Sequence, residues 1–306
     1  MRGADAAITV QDYWRRQGNL LRRTHRLAAA LFSDATSGLD ISRSQFEALI
    51  AISRFSELDQ ISLARAFGID RSTTAGVLDV LTERNLVERA VHPQDRRKRV
   101  LELTKSGEAM LAAVGKAARQ AERKLLQPLS TEEADFMLAA LRTIVTSTPS
   151  SAPEWTLEAS GRVDEAKRTQ FGYLSRRPGF LLRRCVQVSS ALFGEAASGL
   201  DITPIQYGLM YLLKAVQVDE GAIARITGVE RSTSDRLLQR LKARGYIERA
   251  KNREFRVLRL TETGDALFAE THRRARASEE KLFASLSREE HARFIGALVK
   301  LLFVHS

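Results

Sequence analysis

The stretch DRSTTAGVLDVLTERNLVERA (residues 70–90) occurs a second time in the same chain, as ERSTSDRLLQRLKARGYIERA (residues 230–250). Three further segments return in the same order: LLRRTHRLAAALF (20–32) as LLRRCVQVSSALF (181–193), SGLDISRSQF (37–46) as SGLDITPIQY (198–207), and RVLELTKSGEAML (99–111) as RVLRLTETGDALF (256–268). Segments that repeat in order at a nearly constant spacing indicate an internal duplication. We therefore predict two homologous domains, residues 1–146 and 171–306, joined by a linker over 147–170 whose start is rich in Pro and Ser.

Helical periodicity, caps and turns predict one order of elements in each copy. A long helix and a second helix are followed by two shorter helices, two short strands, another long helix and a last helix capped by serine. In the first copy, helices are predicted over 13–37, from 42, over 60–67 and 71–84, from 104 and from 130, and strands over 86–91 and 99–103. In the second copy, helices are predicted over 178–198, from 203, over 219–227 and 231–244, from 261 and from 287, and strands over 246–250 and 256–260. Gly38 and Gly199 stand where the first helix would need a C-cap.

A helix, a tight turn, a second helix and a two-stranded hairpin form the order of a winged helix-turn-helix domain, in which the second helix enters the major groove of DNA. The sequence thus predicts a mainly α fold with small β-hairpins. Its architecture is expected to be tandem winged helix-turn-helix domains, each with long terminal helices for a dimer or pseudo-dimer interface.

The second helix of this motif has an outward face suited to DNA. In the second copy, leucines form an inward stripe, while Ser232, Thr233, Arg236 and Arg240 fall on the opposite side. Hydroxyls at a helix start bond phosphates or bases, and arginines one turn apart reach guanine or the backbone. A solvated charged face would show the same pattern. The position of this helix between a turn and a hairpin, in both copies, favours DNA contact.

The composition suits a DNA-binding protein and offers little for catalysis. The 306 residues carry a net charge of +11, which favours a polyanionic partner. The five histidines are scattered without metal-ligand spacing, no glycine-rich phosphate loop occurs, and the single cysteine excludes an internal disulfide. We expect no catalytic residue, no metal and no cofactor. No signal peptide is recognisable, and the most apolar segment (294–304) is short and contains Lys300, so we expect a cytoplasmic, nucleoid-associated protein.

The stretch GIDRSTTAGVLDVLTERNLVER (68–89), with HPQDRRKRVLELTKSG (92–107) after it, resembles the MarR family of bacterial winged-helix regulators. The matching motifs are RST at the start of the recognition helix, the LVER strand, the DRR wing and LT..G at the start of the long helix. The resemblance covers nearly the whole chain, once per repeat. It implies transcriptional regulation by a dimer built from the first and last helices. It also implies release from DNA when a small phenolic or aromatic acid binds, or when a cysteine is oxidised.

The resemblance assigns DNA contact to the start of each recognition helix and to the first wing. The residues are Arg71, Ser72, Thr73 and Thr74 in the first helix, Arg231, Ser232, Thr233 and Ser234 in the second, and Asp95, Arg96, Arg97 and Lys98 in the wing. Asp95 would brace Arg97, and Arg97 would enter the minor groove, where negative potential is concentrated.

The two copies depart from the family pattern in opposite ways. The first recognition helix has Gly76 and Val80 where the second has Arg236 and Arg240. Gly76 either allows the backbone to approach DNA closely or is simply tolerated. The second wing is three residues shorter and lacks the DRR motif. We therefore predict an imperfect palindromic operator with unequal half-sites on double-stranded DNA.

Two assemblies and two functions fit these patterns. Either the copies form an intramolecular pseudo-dimer with recognition helices about one DNA turn apart, or two chains assemble with four binding domains. The leading function is a sequence-specific transcriptional repressor. The alternative is an architectural or adaptor protein that binds DNA non-specifically or holds a partner protein. The ratio of specific to non-specific DNA affinity separates these functions.

Candidates for an input signal lie on the first helix of each copy. An arginine there would bind the carboxylate of an aromatic acid. The alternative interpretation is that these residues are ordinary charged residues at an interface or on the surface. The candidates are Arg22, Arg23 and His25 in the first copy, and Arg183 and Arg184 in the second. Cys185 follows Arg184, which would lower the thiol pKa and make it a redox sensor. The alternative is that Cys185 is a small buried apolar residue.

Overall fold

The structure is a computed structural model that describes residues 8–54, 58–67, 70–92, 95–149, 176–251 and 256–305. Within these ranges, the side chains of residues 65–67, 92, 95–98, 251 and 256 are also outside the description. Most of the predicted linker therefore lies outside the described residues.

The described part of each repeat is helical apart from one antiparallel hairpin, which confirms the predicted fold class. The first repeat contains α1 (Val10–Arg15), α2 (Gln17–Ala35), α3 (Arg43–Arg54), α4 (Gln60–Phe67), α5 (Arg71–Glu83), β1 (Val87–His92), β2 (Asp95–Leu103), α6 (Lys105–Leu126) and α7 (Thr131–Ser147). The second repeat contains α8 (Pro178–Ala196), α9 (Pro204–Ala215), α10 (Glu220–Thr227), α11 (Arg231–Ala243), β3 (Ile247–Lys251), β4 (Arg256–Leu260), α12 (Glu262–Phe283) and α13 (Arg288–Val304).

The last helix of each repeat begins at the predicted serine cap, and α9 begins in the same way at a threonine. Ser130, Thr203 and Ser287 each form a capping box, in which the hydroxyl accepts from a backbone N–H three residues on. The Glu or Gln at that third position accepts from the N–H of the cap in return. These reciprocal bonds satisfy donors that a helix start would otherwise leave unpaired.

The first helix differs from its prediction at both ends. The sequence predicts one helix over 13–37, but Arg16 has a non-helical backbone (φ −58°, ψ 127°) and separates α1 from α2. At the other end, the hydroxyl of Thr36 donates to the carbonyl of Phe32 at 2.8 Å and closes α2. The helices end at Ala35 and Ala196, so Gly38 and Gly199 lie beyond their ends, and the prediction that these glycines cap the helices is wrong. Gly199 has a φ of 81°.

Contacts divide the chain into two compact units, and each unit combines segments of both repeats. Unit A consists of Arg22–Gln187 and Leu286–Ser306, and unit B consists of Met1–Leu21 and Val188–Ser285. Unit A thus contains the first winged helix, the beginning of α8 and all of α13. Unit B contains the second winged helix together with α1 and the beginning of α2. The compact units do not follow the order of the repeats along the chain.

Each unit has its own apolar core beneath its winged helix. In unit A, buried side chains of α3, α5, β1 and α6 pack together, and Phe180 of α8 joins them from the second repeat. In unit B, side chains of α9, α11, β3 and α12 pack together, and Tyr13 of α1 joins them from the first repeat. Because Leu78 of α5 and Leu238 of α11 are buried in these cores, the opposite faces of the two helices point outward.

Helices of different repeats also pack against each other within each unit. In unit A, α7 and α13 pack against each other. Arg293 of α13 donates to Glu132 of α7 at 2.5 Å and lies over the ring of Phe136, 4.3 Å from its centre. In unit B, α1 packs against α9, with the rings of Tyr13 and Tyr211 centred 6.3 Å apart.

In unit A, a threonine and a glycine join the long helix to the end of the helix-turn-helix. The hydroxyl of Thr104 donates to the carbonyl of Asn85 at 2.7 Å and accepts from the N–H of Gly107 at 3.0 Å. A Cβ on Gly107 would lie only 1.9 Å from the carbonyl oxygen of Leu86. That oxygen also accepts from the N–H of Thr104 at 3.2 Å, so it has little freedom to move away.

Unit B repeats this junction with different neighbours. The hydroxyl of Thr261 donates to the carbonyl of Gly245 at 2.6 Å and accepts from the N–H of Gly264 at 3.0 Å. A Cβ on Gly264 would again lie 1.9 Å from a carbonyl oxygen, that of Tyr246. The LT..G motif is thus a requirement of packing between backbone segments.

We expect Gly107→Ala and Gly264→Ala each to lower the free energy of unfolding by about 1–3 kcal/mol, since the added methyl group forces the backbone apart. Gly296→Ala is the control, because a Cβ there meets nothing within 4 Å, and it should be neutral or stabilise by up to about 1 kcal/mol. Urea unfolding followed by circular dichroism measures all three. Equal stability of Gly107→Ala and the unmodified protein would show that the junction tolerates a side chain.

Candidate nucleic-acid interface and ligand cavity

The recognition helix of the first repeat, α5, begins with a carboxylate that binds the hydroxyls next to it. Asp70 accepts from the hydroxyl of Ser72 at 2.6 Å and from the hydroxyl and N–H of Thr73 at 2.7 and 2.8 Å. These bonds, that of Ser72 first, hold the pKa of Asp70 well below its usual range. Because a carboxylate only accepts, both hydroxyls donate to it and present only lone pairs outward.

The recognition helix of the second repeat, α11, has the same arrangement around Glu230. This carboxylate accepts from the hydroxyls of Ser232 and Thr233, and from their N–H groups at 3.1 Å. The bonds, led by that of the Ser232 hydroxyl, lower the pKa of Glu230 to about 2. The hydroxyls at this helix start are therefore acceptors toward any outside partner, as they are in α5.

The predicted contact residues at the helix starts fall into two groups. Most are exposed or, for Thr233, half-buried: Arg71, Ser72, Thr73, Arg231, Ser232 and Thr233. Thr74 and Ser234 are buried, with 3 % and 0 % exposure, and the prediction of DNA contact is wrong for these two. The fourth residue of each helix lies on the same face as the core leucine four positions later, so its side chain points inward.

The outward faces of the two recognition helices differ in charge. Arg231, Arg236 and Arg240 of α11 are exposed and form what we name the basic strip; none has an ion-pair partner among the described residues. The matching face of α5 exposes Gly76 and Val80. A Cβ on Gly76 would meet nothing within 4 Å, so packing inside the chain does not require glycine there. The second helix is the better suited of the two to bind an anionic partner.

The first wing is the longer hairpin. Strand β1 pairs with β2, with an irregularity after Val91, and β2 already begins at Asp95. The predicted wing residues 95–98 therefore lie in a strand, whereas the sequence predicts that the strand begins at 99. Their side chains are outside the described part of the chain, so the bracing of Arg97 by Asp95 stays a prediction. Strands β3 and β4 have five residues each, and the residues between them are outside the description.

Unit A contains a cavity where α2, α3 and α6 meet the start of α8. The cavity is partly open to solvent. Its apolar wall consists of three aromatic rings and small or aliphatic side chains: Phe32, Phe46, Phe180, Ala28, Ala118, Ala121 and Leu125. Its polar wall consists of Arg43, Glu47, Glu122 and Arg177, beside Gly179. Apolar walls with a few charged groups are typical of small-molecule sites.

Both carboxylates of this polar wall are paired. Nε of Arg177 lies 3.0 Å from Oε1 of Glu122, and Nη2 of Arg183 donates to Oε2 of Glu47 at 2.8 Å. Burial raises the pKa of Glu122, and the nearby arginines oppose this shift. Each carboxylate thus has its own guanidinium partner.

Arg43 is the remaining charge of the polar wall. It forms no ion pair with a described carboxylate, and burial lowers its pKa. Its Nη2 donates to the carbonyl of Ala28 at 2.5 Å, while its Nη1 is buried without a hydrogen-bond partner among the described residues. A Cβ on Gly179 would lie 2.6 Å from this Nη1, so the glycine leaves room for the guanidinium. The cavity therefore holds a cation with an unused donor.

None of the five residues predicted to bind an effector lines this cavity. Arg183 does not line the cavity but donates to Glu47, which does. Arg184 is buried and donates to Gln187 at 2.8 Å. Burial, with Arg43 and Arg183 nearby, lowers the pKa of His25 to about 4, so its ring is neutral at pH 7. The half-buried Arg22 and Arg23 lie on α2.

The sequence carried weak signals for the residues that were missed. Arg177 belongs to RRPG (176–179), which repeats RRQG (15–18) just before the segments used to define the duplication. Arg43 stands in a segment that otherwise repeats closely, yet its counterpart is Pro204. This difference between the copies at Arg43 was the sequence signal that could have indicated a site present in only one repeat.

Cys185 lies inside unit A, on α8. It is fully buried, and its thiol donates to the carbonyl of Leu141 at 3.6 Å. Burial raises the pKa of this thiol far above its usual value, and the opposing effect of Arg184 is smaller. A sensor thiol needs exposure and a lowered pKa. These observations oppose the redox-sensor hypothesis and favour the alternative, a buried apolar residue.

The described residues also lack two other kinds of feature. Among them, no group of three or more His, Cys, Asp or Glu side chains is arranged to hold a metal ion. None of the described helices is long and apolar enough to cross a membrane.

Comparison with known proteins links both repeats to one family. A sequence profile of the MarR family matches residues 39–98 and 200–256. The HTH-type transcriptional repressor NicR of Pseudomonas putida is 32 % identical over 139 residues, which are 45 % of this chain and 88 % of NicR.

Two solved structures are also similar to part of the chain. The transcriptional repressor CouR bound to a 23-mer DNA duplex is 30 % identical, with 40 % of this chain and 88 % of CouR covered and a TM-score of 0.39. A probable transcriptional regulator from Pseudomonas aeruginosa is 31 % identical, with 42 % and 92 % covered and a TM-score of 0.37.

The burial of Cys185 gives a direct test, because the chain has no other cysteine. We expect the thiol of the folded protein to react with Ellman's reagent at least about 100-fold more slowly than that of the protein unfolded in guanidinium chloride, since only the thiolate reacts and burial suppresses it. Release of the coloured thiolate measures both rates. Rapid reaction of the folded protein would restore the redox-sensor hypothesis.

Proposed function

This chain belongs to the MarR family, with one family-type winged helix in each repeat, and from this premise we propose that it is a sequence-specific, double-stranded DNA-binding transcriptional repressor. The observation that carries the proposal is the outward face of the recognition helices. The basic strip of α11 is exposed and has no ion-pair partner among the described residues. Guanidinium groups one turn apart on such a helix suit guanine edges and phosphates in the major groove.

The caps of the recognition helices support a particular kind of base contact. Asp70 and Glu230 take up the donor hydrogens of the adjacent hydroxyls, so Ser72 and Ser232 offer acceptors to DNA. Phosphates only accept, whereas the amino groups of adenine and cytosine donate in the major groove. These serines, with Thr73 and Thr233, are therefore proposed to bind base amino groups rather than the phosphate backbone.

Unequal surfaces support an operator with unequal half-sites. The half-site bound by α11 would contact the three arginines of the basic strip. The half-site bound by α5 would contact Arg71 and the exposed methyl groups of Val80, which suit a thymine methyl. The longer first wing, with Arg96, Arg97 and Lys98, is proposed to enter the minor groove beside α5. Each half of the protein would then rely on a different groove.

We also propose that one chain is the equivalent of a family dimer. Unit A contains the last helices of both repeats packed together, and unit B contains the first helix of one repeat packed on the winged helix of the other. Intramolecular pairing of these segments supports a pseudo-dimer over a two-chain assembly.

A small aromatic acid is the proposed effector. The cavity of unit A offers aromatic walls and a guanidinium with an unused donor, which suit an aryl ring and a carboxylate. Among the solved structures of the family, CouR from Rhodococcus jostii is bound to p-coumaroyl-CoA, a ligand of that protein. No catalytic role is proposed for this chain.

Substitution of the basic strip tests the DNA-binding function. In Arg236→Ala/Arg240→Ala, binding to a duplex selected by this protein from a random library should weaken by about 30- to 20,000-fold, since each of the two lost arginine contacts costs roughly 1–3 kcal/mol. Arg276→Ala, an exposed arginine on α12, is the control and should bind normally. Fluorescence anisotropy at several salt concentrations measures the affinities. A ratio of specific to non-specific affinity near one for the unmodified protein would favour the architectural alternative.

The pseudo-dimer predicts the stoichiometry of the complex. A duplex titrated far above the dissociation constant should saturate at one chain per duplex, and light scattering of the free protein should give the mass of one chain. Two chains per duplex would support the four-domain assembly instead.

A further inference from the structure

We infer that this chain has one working effector site instead of the two that a duplicated regulator would carry, and that the site is the cavity of unit A with Arg43 as the group that binds the effector's carboxylate. The inference deepens the proposed function and rests on it.

Only two of the four charged residues that line the cavity of unit A have a charged counterpart in unit B. By the repeat alignment, Arg177 and Glu122 correspond to Arg16 and Glu279, which are the same residue types. In contrast, Arg43 corresponds to Pro204, and Glu47 corresponds to Gly208. Unit B thus lacks the guanidinium that is unpaired in unit A, and it also lacks the carboxylate that pairs with Arg183.

An aromatic cluster lies at and next to the matching place in unit B. Of the residues that line the cavity of unit A, Phe46 corresponds to Tyr207, with an added hydroxyl, and Phe180 corresponds to Asn19. Next to the lining, Ile50, Leu111 and Gly115 correspond to the larger Tyr211, Phe268 and His272. Tyr207 and these three larger side chains contact one another. The rings of Phe268 and His272 stack with centres 5.6 Å apart, and the hydroxyl of Tyr207 lies 2.7 Å from Nδ1 of His272.

The remaining arginine of unit B is held by this aromatic cluster. The guanidinium of Arg16 lies over two rings, 4.1 Å from the centre of Tyr207 and 4.8 Å from that of Tyr211. Its Nη2 is 3.8 Å from Oε1 of Glu279, which also accepts from the N–H of Gly18 at 3.3 Å. Nη1 of Arg16, like Nη1 of Arg43, has no hydrogen-bond acceptor among the described residues. Arg16 differs from Arg43 in its contacts with rings, because two ring faces lie within 5 Å of its guanidinium, whereas Arg43 lies 5.3 Å from the centre of one ring, that of Phe32.

The charge balance of the two places differs accordingly. In unit A, Arg177 pairs with Glu122 and Arg183 pairs with Glu47, which leaves Arg43 without an ion pair to a described carboxylate. In unit B, Pro204 stands at the position of Arg43, and the guanidinium of Arg16 lies 3.8 Å from Glu279. A guanidinium without an ion pair in an aromatic-walled cavity suits a carboxylate on a flat apolar body, so the ligand class is an aromatic monocarboxylate.

Counting bound ligand tests the inference. Equilibrium dialysis of the full chain without DNA, against radiolabelled benzoate, 4-hydroxybenzoate or 4-hydroxycinnamate, gives the moles bound per mole of chain at saturation. We expect one. Arg43→Ala should weaken binding by about 10- to 100-fold, as expected when a hydrogen-bonded charge is lost, and Arg43→Lys should recover part of it.

A pair of matched glycine variants separates the two units. Gly179→Ala places a methyl group against the guanidinium of Arg43 and should weaken binding, whereas Gly18→Ala, at the matching position of unit B, should leave the affinity unchanged. Unchanged melting temperature and DNA affinity without ligand show that each variant is folded.

The outcomes distinguish this inference from the proposed function. Two moles bound per chain, or one mole whose affinity survives Arg43→Ala, would overturn the single-site inference and leave an aromatic-acid effector intact. If none of the three acids binds, the inference fails together with the proposed effector, while DNA binding is judged by its own experiment.

Discussion

The close approach of Gly107 to the carbonyl oxygen of Leu86, and of Gly264 to that of Tyr246, constrains the rest of each winged helix. At this point the recognition helix has ended, the first wing strand begins and the long helix starts. A side chain at the glycine would separate these three elements. Since the capping threonine bonds across the same junction, the orientation of the recognition helix is coupled to the long helix that lines the cavity of unit A.

The two halves keep this framework and differ in what is attached to it. The second repeat has three exposed arginines on its recognition helix, and the first has the longer wing. The aromatic-walled cavity of unit A contains a buried guanidinium with an unused donor, whereas the matching place in unit B contains a cluster of rings around Arg16. In a homodimer every substitution occurs in both halves. Here the duplication lets each half change separately, and the differences concentrate at surfaces and at the cavity while the two cores remain alike.

Local patterns in the sequence predicted most of the fold and part of the candidate site. The repeats, the capping serines and the inward leucine stripe predicted the order of helices and the exposed side of α11. The break at Arg16 was missed because nothing in RRQG forbids a helix. Thr74 and Ser234 were assigned by motif, although their place four residues before a core leucine already puts them inside. The cavity could not be predicted, because it joins Arg43 and Glu122 to Arg177 from the other repeat, and no local pattern reports such a long-range contact.

The packing of α7 against α13 has a consequence for how the protein behaves when it is scarce. Both helices belong to one chain, so their association is a first-order process that dilution does not reverse. A regulator assembled from two chains loses its paired form when its concentration falls below the dissociation constant of the dimer. The proposed pseudo-dimer would have no such threshold and would not exchange subunits with related regulators in the same cell. In that assembly, DNA occupancy rises in simple proportion to the number of molecules at low expression, without the squared dependence of a dissociating dimer.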